Sequence, residues 1–206
     1  MKKPLIILTG PTAVGKTKLS ISLAQAVNGA IISADSMQVY RHMDIGSAKI
    51  RPEEMCGVPH YLIDVLDPSE EFHVVKFVEL AHEAMEKIYA AGQIPIVTGG
   101  TGFYIQALLK EVDFTESHGE LPIRKQLEEK AATEEGAAEL YRELSEVDPA
   151  SAETIHPNNV KRVIRALEYY HETGQKISEH NEEQKQKESP YCSAYFVLND
   201  ERSILY

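Results

Sequence analysis

Only two cysteines, Cys56 and Cys192, occur in the 206 residues. They lie far apart and form no Cys-x-x-Cys pair, which excludes a disulfide framework and a zinc site and leaves two reduced thiols. Long apolar runs are missing too: nothing approaches the roughly 18 consecutive apolar residues of a membrane span. The opening "MKKPLIILTG" has lysines ahead of an apolar run, as a secretory leader does. That run is short and leads into a glycine loop, so it reads as the buried first strand of a cytoplasmic protein. Net positive charge is missing from both halves, the first being nearly neutral and the second strongly acidic. Residues 1–110 hold 10 Lys and Arg against 11 Asp and Glu, whereas residues 111–206 hold 11 against 21, for a net charge of −11. This balance argues against non-specific nucleic-acid binding, where neutralised phosphates supply the affinity, but it leaves room for a local basic face. Two signatures of familiar phosphate-loop proteins are also absent. No Asn-Lys-x-Asp sequence reads guanine, as in a GTPase switch, and no long apolar strand ends in Asp-Glu, as in a motor ATPase.

The apolar content of 43% and charged content of 26% are those of a globular protein. "PLIILTG" reads as a buried strand, and "KTKLSISLAQAVN" as a helix stopped at Asn28-Gly29. "AIISAD" is a second strand ending on an acid, and "HYLIDVLD" a third. Ser69 in "DPSEEF" offers a helix cap, and the helix after it aligns Val74, Phe77, Val78, Ala81, Met85, Ile88 and Tyr89 before Gly92. "IPIVTGG" is a fourth strand, followed by the helix "FYIQALLKEV". Strands alternating with helices imply parallel crossovers, hence an α/β fold. "DFTESHGELP" is a polar boundary, after which the pattern is helical from Ile123 to about Glu188, and "SAYFVLND" returns to strand. The expected organisation is an α/β core over 1–112, a helical insertion over 113–190, and a return to the core over 191–206.

"GPTAVGKT" holds Gly10, Pro11, Thr12, Ala13, Val14, Gly15, Lys16 and Thr17, matching GxxxxGK[ST] with a strand before and a helix after. Such a loop wraps backbone N–H groups round an anion at a helix N-terminus carrying about half a positive charge. Lys16 can neutralise a phosphate oxygen and the Thr17 hydroxyl can ligate Mg²⁺. The motif predicts diphosphate binding without saying what the diphosphate is attached to. Asp35, in "SADSMQVY", stands at a strand's C-terminal end, the edge that faces the ligand in an open α/β sheet. It can hold Mg²⁺ through water, take a proton from a nucleophile, or simply cap a turn. Ser36 and Gln38 add hydrogen-bonding capacity on either side of Met37. "GGTGFY" repeats the strand-loop-helix arrangement, so that Thr101 and the loop amides either approach the same ligand or only pack a helix.

"HPNNVKRVIRALEYYHETG" predicts a helix capped by Asn158 or Asn159 and ended by Gly174, with Val160, Val163, Ile164 and Leu167 on its apolar face. Lys161, Arg162 and Arg165 form a basic edge suited either to phosphates or to neighbouring acids. His156 is equally a local hydrogen-bonding residue. A small-molecule kinase also combines such a loop with a strand-end Asp. It would need a lid arginine over the transferred phosphate, for which Arg124, Arg142, Arg162 or Arg165 are available.

Taken in order, "GPTAVGKT", "SADSMQVYRHMDIGSAK", "VTGGTGFYIQALL" and "IHPNNVKRVIRALEYYHETG" resemble the tRNA dimethylallyltransferase (tRNA isopentenyltransferase) family across the whole chain. Ser47 is a departure, since many members have Thr there. The resemblance implies a P-loop NTPase-like parallel sheet flanked by helices and carrying a helical insertion domain. It implies transfer of the dimethylallyl group from its diphosphate to N6 of an adenosine beside the tRNA anticodon, with Mg²⁺, in a cytoplasmic monomer. Lys16, Thr17 and the cradle from Gly10 would bind the diphosphate, with Arg202 reaching it from "NDERSILY". Asp35 would be the general base, and Thr101 would sit beside the reacting centre. Asp35, Ser36, Met37, Gln38 and Thr101 would meet the target nucleotide. Lys161, Arg162, Val163, Ile164 and Arg165, with Arg124, would contact tRNA. The family extends past this C-terminus, so further core and tRNA-contacting surface are expected beyond it.

Overall fold

The run "PLIIL" becomes the middle of β1 (Lys3–Thr9), with Leu5, Ile7 and Leu8 almost fully buried. The structure is a computed structural model and describes residues 2–112, 122–201 and 203. Strands β2 (Gly29–Ser33), β3 (His60–Tyr61), β4 (Ile94–Gly99) and β5 (Tyr191–Val197) join β1 in a parallel sheet of order β3-β2-β4-β1-β5. A parallel sheet needs crossovers that cover its faces, which is why its strands are apolar on both sides. Helices α2 (Val74–Ala90) and α3 (Gly102–Lys110) cover one face, where Phe77, Ala81, Ile88, Ile105 and Leu108 meet Leu5, Ile7, Ala30 and Ile32. Helix α1 (Lys16–Val27) covers the other through Ala24, Ile21 and Val27 against Ile31 and Ile96. Phe77 is wholly buried, so Phe77→Ala would cost about 3–5 kcal/mol.

Helix ends follow the sequence signals with one exception. Asn28 takes the left-handed conformation that stops α1 (φ 52°), and Gly92 does the same after α2 (φ 68°). The expected cap Ser69 does not cap α2. Asp67 accepts from both the Ser69 amide and hydroxyl, at 3.0 and 2.6 Å, closing a separate turn, and the cap is His73, whose Nδ1 accepts from the Lys76 amide. The third strand is also far shorter than "HYLIDVLD" predicts. Leu62 and Asp64 both adopt positive φ (61° and 54°), which breaks the extended backbone after Tyr61.

The chain divides into two compact units, 1–112 with 188–206 and 113–187. The second comprises α4 (Pro122–Lys130), α5 (Glu134–Val147), α6 (Pro149–Thr154), α7 (Val160–Thr173) and α8 (Ile177–Gln186). Leu127, Leu140, Leu144, Val163, Ile164 and Leu167 form its core. Buried Asp148 accepts from the amides and hydroxyls of both Ser151 and Ser178, tying α6 to α8. Cys56 and Cys192 are exposed and free. Among the described residues no helix is long and apolar enough to cross a membrane.

Candidate active site

Strand β4 lies between β1 and β2, and the register levels their C-terminal ends: Thr9 pairs with Gly99, and Ser33 with Thr98. The loops that follow β1, β2 and β4 therefore emerge side by side at the sheet edge where α/β folds bind ligands. Between them is a cleft of about 320 Å³ lined by Thr12, Lys16, Thr17, Asp35, Thr98 and Gly100, among others. A larger open depression of about 1070 Å³ runs from Thr17 along α1 to residues 44–56.

The loop after β1 has two left-handed residues, Ala13 (φ 69°) and Gly15 (φ 87°), the latter at the N-cap of α1. At Gly10 a side chain is impossible because a Cβ would collide with the carbonyl oxygen of Leu198. Lys16 Nζ donates to the carbonyl oxygens of Gly10 (2.9 Å) and Pro11 (2.6 Å), so its ammonium lies folded over the loop. Burial lowers the Lys16 pKa, with the Asp35 charge partly offsetting that effect.

Asp35 both closes a turn and lines the cleft. One oxygen, Oδ1, accepts from the amides of Met37 (2.8 Å) and Gln38 (3.3 Å) and closes the turn, while the residue lines the cleft. Among the described residues Oδ2 accepts no hydrogen bond. Gln38 is half-buried and bridges two segments, accepting from the Ser33 hydroxyl (3.1 Å) and donating to the Ala48 carbonyl (3.2 Å). Ser36 and Met37 are exposed. Thr101 caps α3 by position without a side-chain hydrogen bond, and the cleft reaches Gly99 and Gly100 just before it.

Two residues of this region went unnoticed in the sequence. Lys49, whose side chain is 5% exposed, donates to Asp44 (2.9 Å), Asp64 (2.6 Å) and the Tyr40 carbonyl (2.7 Å), pinning the loop that Gln38 holds from the other side. Its partner Asp64 fell within a predicted strand, so no spacing rule could pair them. The Thr98 hydroxyl is buried with no hydrogen-bond partner among the described residues, and the residue lines the cleft. Its one signal was its place just before two glycines at a strand end.

The remaining predicted residues lie in the helical unit or outside the described residues. Lys161 and Arg162 are exposed on α7, and Arg165 is partly so. Val163 and Ile164 are corrected as tRNA contacts: they are 1% and 5% exposed and face the core, because their spacing puts them on the inward side of α7. Arg124 on α4 pairs with Glu128 and Glu168. His156 accepts from the Asn158 amide in a local turn. Arg202 lies outside the described residues.

The IPP transferase family model matches residues 38–206. Similar curated proteins are the tRNA dimethylallyltransferases of Lachnoclostridium phytofermentans, 65% identical over 99% of this chain and 65% of that protein, and of Bacillus mycoides, 49% identical over 100% and 64%. Among solved structures, a eukaryotic dimethylallyltransferase acting on tRNA is 40% identical with a TM-score of 0.83, over 97% of this chain and 49% of that one. The tRNA isopentenylpyrophosphate transferase of Bacillus halodurans is 44% identical with a TM-score of 0.65, over 100% and 63%. The chain thus spans about 65% of the length of the curated relatives it matches.

Proposed function

The chain belongs to the IPP transferase family, and on that premise we propose that it transfers the dimethylallyl group of dimethylallyl diphosphate to N6 of the adenosine beside the anticodon of tRNA. The observation that carries this reading is a phosphate cradle and a strand-end carboxylate lining the same cleft. The names of the relatives support the substrate pair.

The diphosphate would take the place that the Gly10 and Pro11 carbonyls now have on Lys16, at the positive end of α1. An exocyclic adenine amine is a poor nucleophile because its lone pair is delocalised into the ring, so its presentation and the fate of its proton decide the rate. The N6 lone pair forms the bond to the allylic carbon, the carbon–oxygen bond breaks, and its electron pair leaves with diphosphate. The N6 proton passes to Asp35, whose Oδ2 is available while Oδ1 holds the turn. Thr17 and Asp35 are hard oxygen donors lining the cleft, and Mg²⁺ binds with few protein ligands plus phosphate oxygens, so the residues fit this ion. When bound it would neutralise charge on the leaving diphosphate. The target base must leave its stack to be reached, which a single-stranded anticodon loop permits. Lys161, Arg162, Arg165 and Arg124 are the cationic groups proposed for the tRNA backbone. The protein would act as a cytoplasmic monomer.

The test is to incubate the intact protein with dimethylallyl diphosphate, Mg²⁺ and unmodified tRNA and weigh the nucleosides. One adenosine should gain the prenyl mass with no ATP consumed. No gain refutes the transfer.

A further inference from the structure

Glu168 on α7 is fully buried, yet its Oε2 lies 3.3 Å from Nη1 of Arg165 and 3.6 Å from Nη1 of Arg124. The two arginines come from different helices, α7 and α4, and their side chains are 36% and 41% exposed. Oε1 of Glu168 is buried with no hydrogen-bond partner among the described residues. A charge in this setting is a poor device for stability alone, since an apolar side chain would extend the core of Ile164 and Leu167 without the desolvation cost. It does accomplish something an apolar residue cannot. Two guanidinium groups repel at short range, and a carboxylate between them holds both in one place. Each guanidinium has five N–H donors in a fixed fork: Arg165 uses one on Glu168, and Arg124, whose Nε donates to Glu128 at 3.1 Å, sits at ion-pair distance from Glu168, so both keep donors for a further partner. Paired arginines with spare, partly exposed donors fit an anionic oxygen cluster, the geometry of a phosphodiester.

We propose that Glu168 is a positioning residue that holds Arg124 and Arg165 together as a two-arginine clamp for a phosphate of the tRNA backbone. The inference rests on the tRNA-modifying function proposed above and adds a residue that touches neither the RNA nor the reacting atoms. Simple electrostatics and positioning predict opposite signs here. Removing an acid near RNA should tighten binding about two- to threefold if only through-space charge matters. Losing the clamp should weaken it about tenfold, the scale of one charge-assisted hydrogen bond.

Glu168→Gln keeps the shape and removes the charge. Its tRNA dissociation constant should rise about tenfold, and the slope of log affinity against log salt should fall by about 1, as for one lost phosphate contact. The loss should fall on KM for tRNA rather than on kcat. Binding that is unchanged or tighter overturns the proposal. If the variant does not fold, Arg124→Gln and Arg165→Gln, singly and together, decide the matter: losses that fail to add support one shared clamp, and additive losses overturn it. Wild-type protein is measured alongside. If it binds tRNA and Arg124→Gln weakens that binding while Glu168→Gln does not, only the clamp falls. If wild-type protein neither binds nor modifies tRNA, the proposed function falls and the clamp with it.

Discussion

A methyl group added at Gly99 would lie 2.6 Å from the carbonyl carbon of Ala34 and 2.9 Å from its Cβ. Carbon atoms rest at about 3.5–4.0 Å, so the ends of β2 and β4 would have to part by about 1 Å. That movement breaks the hydrogen bond from the Ala34 amide to the Thr98 carbonyl (2.7 Å), in the stretch of chain that leads directly into Asp35. Overpacking of this kind costs about 1–3 kcal/mol and the hydrogen bond about 1 kcal/mol more, so Gly99→Ala should destabilise the α/β unit by about 2–4 kcal/mol. Its melting temperature should fall by roughly 10 °C. The neighbouring glycine is the control: a Cβ at Gly100 meets only the Gly10 carbonyl oxygen, at 3.8 Å, so Gly100→Ala should stay within about 0.5 kcal/mol. The chain has no tryptophan, so urea unfolding is followed by far-ultraviolet circular dichroism, with the transitions of the two units fitted separately. Prenyl transfer should fall for Gly99→Ala because Asp35 moves away from the cradle. Equal stability of the two variants would refute the close approach of β2 and β4 as the reason for glycine at Gly99.

Asp35→Asn keeps an oxygen for the Met37 and Gln38 amides but cannot take the N6 proton, so kcat should fall about 10²–10⁴-fold while tRNA affinity holds; an undiminished kcat removes Asp35 as base. For Lys49, burial opposes its charge, but Asp44 and Asp64 outweigh that and hold its pKa above 10.5. The pairing therefore stabilises fully below pH 10.5 and is lost as pH rises through the raised value, so Lys49→Met should flatten the alkaline fall in melting temperature. An unchanged fall would assign it to another group. For Asp148, burial opposes ionisation, but hydrogen bonds from Ser151 and Ser178 prevail and hold its carboxyl below 3.8. That contribution is present above pH 3.8 and lost as pH falls through the lowered value. Asp148→Asn should cost about 1–3 kcal/mol at neutral pH, because its amide N–H groups meet donors, and should blunt the acid transition of the helical unit in a pH-melting series. A variant as stable as wild type would contradict the network's role.

The sequence by itself determined the elements whose causes are local. The cradle is legible because a strand, two glycines and a Lys-Thr pair occur in one continuous run, and a loop of this kind carries its own anion site. The α/β class follows from periodicity, and the stops at Asn28, Gly92 and Gly174 follow from residues that tolerate the left-handed conformation. Only the tertiary structure decided what depends on neighbours distant in the chain. β4 lies between β1 and β2, bringing Lys16, Asp35 and Gly100 to one cleft, and strand order is not written in any local pattern. The rupture of the third strand by Leu62 and Asp64 and the pairing of Lys49 with Asp64 are likewise invisible to spacing rules. The same holds for Glu168: its sequence shows an ordinary acid one turn from Arg165, and only the packing of α4 on α7 turns it into a buried charge shared by two arginines. Local conformational preferences act within a few residues, whereas ion pairing and burial are settled by which surfaces the folded chain brings into contact.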